Sequence, residues 1–136
     1  MVRTLSEFEH AYIEAALWSS MDNANDQGGE PLDANYTADD LAPESLDKML
    51  ADCRQFLTAN QATIDAAAEI GLPRYSREDY SPEGRAGHDF WLTRNGHGAG
   101  FWDGDWPEPA ATLLTDAAHA MGQCDIYVGD DGKLYI

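Results

Sequence analysis

The segment Gly87-His88-Asp89-Phe90-Trp91-Leu92-Thr93-Arg94-Asn95-Gly96-His97-Gly98-Ala99-Gly100-Phe101-Trp102-Asp103-Gly104-Asp105-Trp106 constrains the fold more than any other part of the chain. It gathers three of the four Trp, two of the four Phe and two of the four His. Asn95-Gly96 sits between two aromatic runs, and Asn-Gly is a strong signal for a tight hairpin turn because both residues accept positive φ. On an extended strand Phe90 and Leu92 share one face and Trp91 and Thr93 the other. The pattern predicts strands near 88–94 and 99–103, closed into a hairpin.

Helical signals come before it. Leu5, Phe8, Tyr12 and Ala15/Ala16 recur at spacings of three and four, which predicts a helix over 4–20. Thr4 with Glu7, or Ser6 with Glu9, can form its capping box. Residues 19–36 lose periodicity and read as a long acidic loop. Thr37-Ala38-Asp39-Asp40 opens a short helical turn. Pro43 suits the first position of a long helix that runs to about Ile70 and stops at Gly71, with a break near Thr58–Asn60 as an alternative. Residues 71–87 form a second loop containing Arg74, Arg77 and Arg85. Pro107-Glu108-Pro109 then starts a helix whose Leu113, Leu114, Ala117, Ala118 and Met121 are expected to face inward. Cys124–Val128 and Lys133–Ile136 predict a second hairpin around Gly129-Asp130-Asp131-Gly132. The expected fold is a single α+β domain over 1–136. In it, the N-terminal helices pack on one face of a four-stranded antiparallel sheet made of two hairpins (88–103 and 124–136) with a helix between them.

Charge sets the functional classes. The chain has 136 residues, with 25 Asp and Glu against 8 Lys and Arg and a net charge of −17. Phosphate contacts need cations, so direct nucleic-acid binding is not expected. Residues 1–70 carry fourteen of the acids and three of the bases. Asp22, Asp26, Glu30, Asp33, Asp39, Asp40, Glu44, Asp47 and Asp52 run through the loop and into the long helix, with Lys48 as the only base among them. Such a row suits the nucleic-acid-binding groove of a basic host protein or nucleoprotein complex, with carboxylates in the place of phosphates. Trp91, Trp102 and Trp106 are candidate aromatic docking residues, because Trp is enriched at binding hot spots. The two cysteines, Cys53 and Cys124, are too few for a disulfide framework. The N-terminus lacks the apolar core of a signal peptide and no run is long enough to span a bilayer, so a cytoplasmic protein without membrane contact is expected.

Catalytic and metal signals are weak. There is no Gly-x-Ser-x-Gly, no His-Glu-x-x-His and no phosphate-cradling loop, and no motif calls for a cofactor. His88, Asp89, His97, Asp103 and Asp105 form a candidate acid–base cluster at the ends of the first hairpin. His88, His97, His119 and Cys124 lack the close spacings of a zinc site. Asn23, Asn25, Gln27 and Gly28 imitate the start of a calcium loop, but Ala34 occupies the position that needs a bidentate Glu. Asp130-Asp131-Gly132 is likewise read as a turn.

The segment 87–103, together with Tyr127-Val128-Gly129-Asp130-Asp131-Gly132 and Gly29-Glu30-Pro31-Leu32-Asp33, resembles a family of small acidic proteins of bacteriophages and mobile elements. The resemblance carries no residue roles. It implies a host bacterial cell and an inhibitor of host nucleic-acid enzymes, of the anti-restriction or anti-CRISPR kind. Two further readings are a small metal-dependent enzyme using the His/Asp cluster, and a structural accessory protein docking through its aromatics.

Overall fold

The computed structural model describes residues 5–22, 30–71, 81–97, 100–102 and 106–136. Four helices dominate it: α1 (Glu7–Ser19), α2 (Pro43–Ile70), α3 (Pro82–Arg94) and α4 (Ala110–Ala120). The strands are two short antiparallel ribbons, β1 (Met21–Asp22) with β2 (Glu30–Pro31) and β3 (Tyr127–Val128) with β4 (Leu134–Tyr135).

The expected four-stranded sheet does not form, because the stretch taken for its first strand is the helix α3. Ser81 caps that helix, its Oγ accepting from the Gly84 amide at 3.1 Å. Pro82 fills the first turn, where a missing N–H costs nothing. Asn95-Gly96 ends the helix instead of turning a hairpin. The His97 amide bonds to the Leu92 carbonyl and the Gly96 amide to the Thr93 carbonyl, with Gly96 at φ 72°. That is the Schellman pattern, and it uses the same left-handed tolerance of Gly that a hairpin would. Phe90, Trp91, Leu92, Thr93 and Arg94 are all buried. A helix buried around its whole circumference has no amphipathic stripe, so its apolar run cannot be told from a strand by period alone.

α1, α2, α4 and the second hairpin follow their sequence signals, whereas β1 and β2 fall in the stretch expected as a loop. The Ser6–Glu9 register makes the α1 capping box. α2 is unbroken for 28 residues, about 42 Å at the usual helical rise. Asn60 stays within it, Nδ2 donating to the Phe56 carbonyl at 2.8 Å. In α4, Leu114 and Ala118 are buried and Ala117 and Met121 partly so, whereas Leu113 turns outward. The second hairpin forms where expected, shorter than its sequence signal, with Tyr127 opposite Tyr135 and Val128 opposite Leu134. It docks on the start of α2 through the Ala42 amide on the Leu134 carbonyl and the Ile136 amide on Ser45 Oγ.

α3 contacts each of the other three helices, α1 most extensively. Gly87 permits that approach, since a Cβ there would run into the Phe8 carbonyl. The rings around it form one aromatic core. Phe90 stacks on Phe56 at 4.0 Å between centroids, and Tyr12 meets Trp91 edge-on at 5.4 Å. Phe101 and Trp106 close the far side at 5.3 Å.

Arg94, at the end of α3, ties all four helices together. Its Nη1 donates to the Tyr12 hydroxyl of α1 at 2.9 Å and to Asp52 Oδ2 of α2 at 3.0 Å. Nε and Nη2 donate to the Gly122 and Met121 carbonyls at the end of α4, at 2.8 and 3.1 Å. A cation there also meets the negative end of the α4 dipole. Removing one partner of a buried ion pair costs about 3–5 kcal/mol. Arg94→Met is expected to lose stability on that scale in urea unfolding. Arg94→Lys should recover little of it, because an ammonium cannot reproduce the guanidinium fork. A loss below about 1 kcal/mol, the range of exposed pairs, would contradict this role.

Candidate functional site

The acidic row predicted from sequence divides in two. Asp33, Asp39, Glu44 and Asp47 are exposed, and Asp40 is partly so. They lie along the segment entering α2 and its first turns, where negative charge also suits the helix dipole. Asp40 has a local task, since its Oδ2 accepts from the Thr37 amide at 2.8 Å while Thr37 Oγ1 accepts from the Asp39 amide. Asp52 leaves the row. Its side chain is mostly covered and bound to Arg94, so it is a structural ion-pair partner. Asp22 and Glu30 sit opposite one another in the β1–β2 ribbon, and Asp26 lies outside the described residues.

Two of the three candidate docking tryptophans are core residues. Trp91 is buried and its Nε1 donates to Ser19 Oγ at 2.9 Å. Trp106 is buried and its Nε1 donates to Asp89 Oδ2 at 2.7 Å. Trp102 alone of the three is open, at 52% exposure. The expected hairpin placed Trp91 on a strand face. On a central helix and its return segment, packing claims Trp91 and Trp106.

The His/Asp cluster is partly assembled. His88 Nδ1 lies 3.0 Å from Asp89 Oδ1, and the carboxylate is buried with its other oxygen held by Trp106. An oriented imidazole on a buried carboxylate is half of a nucleophile-activating arrangement. Here the His88 ring stacks on Trp18 at 5.8 Å. The arrangement anchors the Trp106 segment and the end of α1 to α3. His97 follows the α3 cap, and Asp103 and Asp105 lie outside the described residues. His119 is exposed in the last turn of α4. Among the described residues, no three His, Cys, Asp or Glu side chains converge where they could hold a metal. Asn23, Asn25, Gln27 and Gly28 are likewise outside the described residues, while Ala34 ends a 3₁₀ turn.

The cysteines are protected thiols. Burial pushes the Cys53 thiol far above its ordinary range, and Cys124 is raised for the same first reason. Tyr12 is also raised well above its ordinary value by burial, so it serves Arg94 as a neutral phenol.

A cleft that sequence reasoning missed lies between α1 and the acidic segment before α2. It encloses about 450 Å³, with Ile13, Leu17, Trp18, Tyr36 and Ala38 among its walls and Glu14, Asp33 and Asp39 among its carboxylates. Its volume is within the range of small-ligand sites. No local motif signals it, because it arises where two segments distant in sequence, ending at Trp18 and beginning at Asp33, meet.

Comparison with protein-family models, curated proteins and solved structures gives no match to this chain.

In the β3–β4 turn, Asp131 already has partners. Its Oδ2 accepts from the Tyr135 hydroxyl at 2.7 Å and its Oδ1 from the Lys133 amide at 3.0 Å. The Tyr135 bond first, then the Lys133 amide, holds its carboxyl below the ordinary value, and the same bond pushes Tyr135 up to about 12. A depressed carboxyl contributes stability above its unfolded pKa and loses it as pH falls through the folded one. Tyr135→Phe should move the Asp131 midpoint upward in a carboxylate NMR titration, so that the turn weakens at higher pH than in the wild type. An unmoved midpoint would contradict the assignment.

Proposed function

We propose that this chain is a non-catalytic acidic binding protein that occupies the nucleic-acid-binding groove of a basic host protein or nucleoprotein complex. The observation that carries the reading is the exposed acidic edge formed by Asp33, Asp39, Glu44 and Asp47 at the entry to α2. These carboxylates are exposed, and Lys48 is the only base near them in sequence. Glu44 and Asp47 are one helical turn apart, about 4.5 Å along the axis at the usual rise. That is of the order of the 3.4 Å charge spacing along one nucleic-acid strand.

Glu44 and Asp47 sit on a long unbroken helix, so presenting them costs little ordering on binding. The net charge of −17 adds long-range steering toward a basic groove. The resemblance to phage and mobile-element proteins supports a target among host restriction or RNA-guided defence complexes. The His88–Asp89 pair has no nucleophile assigned to it, and its contacts are those of a packing anchor.

Binding to such a partner should weaken with salt and be displaced by duplex DNA. The combined Asp39→Lys, Glu44→Lys and Asp47→Lys variant leaves the Asp40 cap intact. It should fold with an unchanged circular dichroism spectrum and retain at least tenfold less DNA-displaceable host protein when immobilised and challenged with lysate. Undiminished retention would contradict the proposal.

A further inference from the structure

The cleft beside the acidic edge has a composition that the edge alone does not explain. Ile13 and Leu17 give it apolar walls, Trp18 and Tyr36 give it aromatic ones, and Glu14, Asp33 and Asp39 supply carboxylates. The lining also includes His10, whose Nε2 sits 2.8 Å from Glu14. An open cleft with apolar and aromatic walls and this excess of carboxylates is matched to one kind of group, a cation on an aliphatic stem. Lysine and arginine side chains have that form. Their methylenes cover apolar surface while the charged head remains at a polar rim, and aromatic faces attract the cation further.

Trp18 differs from the other described core-associated tryptophans. Trp91 and Trp106 are each fixed by an indole hydrogen bond. The Trp18 Nε1 is shut off from solvent and has no hydrogen-bond partner. The ring is held by packing, including its stack on His88, so it can adjust to an occupant without breaking a hydrogen bond.

We propose that this cleft receives a lysine or arginine side chain of the basic partner, next to the groove that the acidic edge occupies. The inference rests on the binding reading above and names the chemistry of the partner. The edge supplies charge and steering, and the cleft supplies a defined anchor point. Partners of equal net charge are then discriminated by whether they present a cationic side chain at that place.

The test uses hexalysine as the probe and the whole 136-residue chain, with two variants that leave the edge acids Glu44 and Asp47 in place. Ala38→Trp fills the cleft, and Trp18→Ala removes an aromatic wall. Thermal unfolding identifies any variant that has lost its fold, and the filled variant keeps the test decisive if Trp18→Ala does not fold. Hexalysine should shift the Trp18 indole N–H signal saturably in NMR. Ala38→Trp should raise its Kd at least tenfold, against less than threefold for Glu44→Lys with Asp47→Lys. Equal affinity for wild type and Ala38→Trp, or shifts confined to the edge with Trp18 unmoved, would overturn the cleft proposal. With the host partner the two readings separate. Undiminished DNA-displaceable binding by Ala38→Trp removes the cleft and leaves the edge. Undiminished binding by the Glu44→Lys and Asp47→Lys double variant, with loss in Ala38→Trp, removes the edge and leaves the cleft.

Discussion

The arrangement of this molecule depends on one buried cation. Arg94 is 4% exposed, and taking a charge out of water is costly unless partners surround it. The fold supplies them from every helix: a phenol from α1, a carboxylate from α2 and two terminal carbonyls from α4. The Phe90 ring adds a face 5.3 Å from the guanidinium carbon. These groups meet only when α1, α2 and α4 are all seated on α3. The pair therefore specifies an arrangement as well as contributing stability, and it connects the ends of helices that an aromatic core would otherwise hold without register.

The same interaction separates the buried, paired charge from the exposed acids. With 25 acids and 8 Lys and Arg, neutralisation is scarce. The fold commits its central arginine inward to Asp52, while the carboxylates before and along the start of α2 stay in solvent. Self-repulsion among them opposes compaction, and the buried aromatic core has to outweigh it. Phe8, Tyr12, Phe56, Phe90, Trp91 and Phe101 are all fully or almost fully buried. The result is a rigid support with an exposed acidic edge and an aromatic cleft adjoining it.

Much of this was legible in the chain. Ser6–Glu9, Pro43 and Gly71 marked the ends of α1 and α2, and the Asp-Gly turn marked the last hairpin. What could not be read was α3. Its period is erased because neighbours cover every side, and Gly84 and Gly87 lower its helix propensity by about 1 kcal/mol each. The available signal was at the ends: Ser81-Pro82-Glu83 is a helix start, and Asn-Gly serves a helix stop as well as a hairpin turn. Misreading α3 also moved the site, since Trp91 and Trp106 became candidate docking residues. Asp52 looked like one more surface acid because its partner is 42 residues away. The exposed part of the acidic row was legible because exposure there follows from local composition. The cleft was not, because it depends on how α1 meets the 33–39 segment.

Native-state amide hydrogen exchange tests the central claim most directly, namely that α3 is the buried axis fixed by Arg94. Amides that open only with global unfolding exchange slowest. The account predicts that Phe90–Arg94 in α3 and the Asp52–Phe56 stretch of α2 are in that slowest class, and that Arg94→Met brings them down together with α4. Fast exchange of Phe90–Arg94 in the wild-type chain, with α2 and α4 still protected, would contradict it.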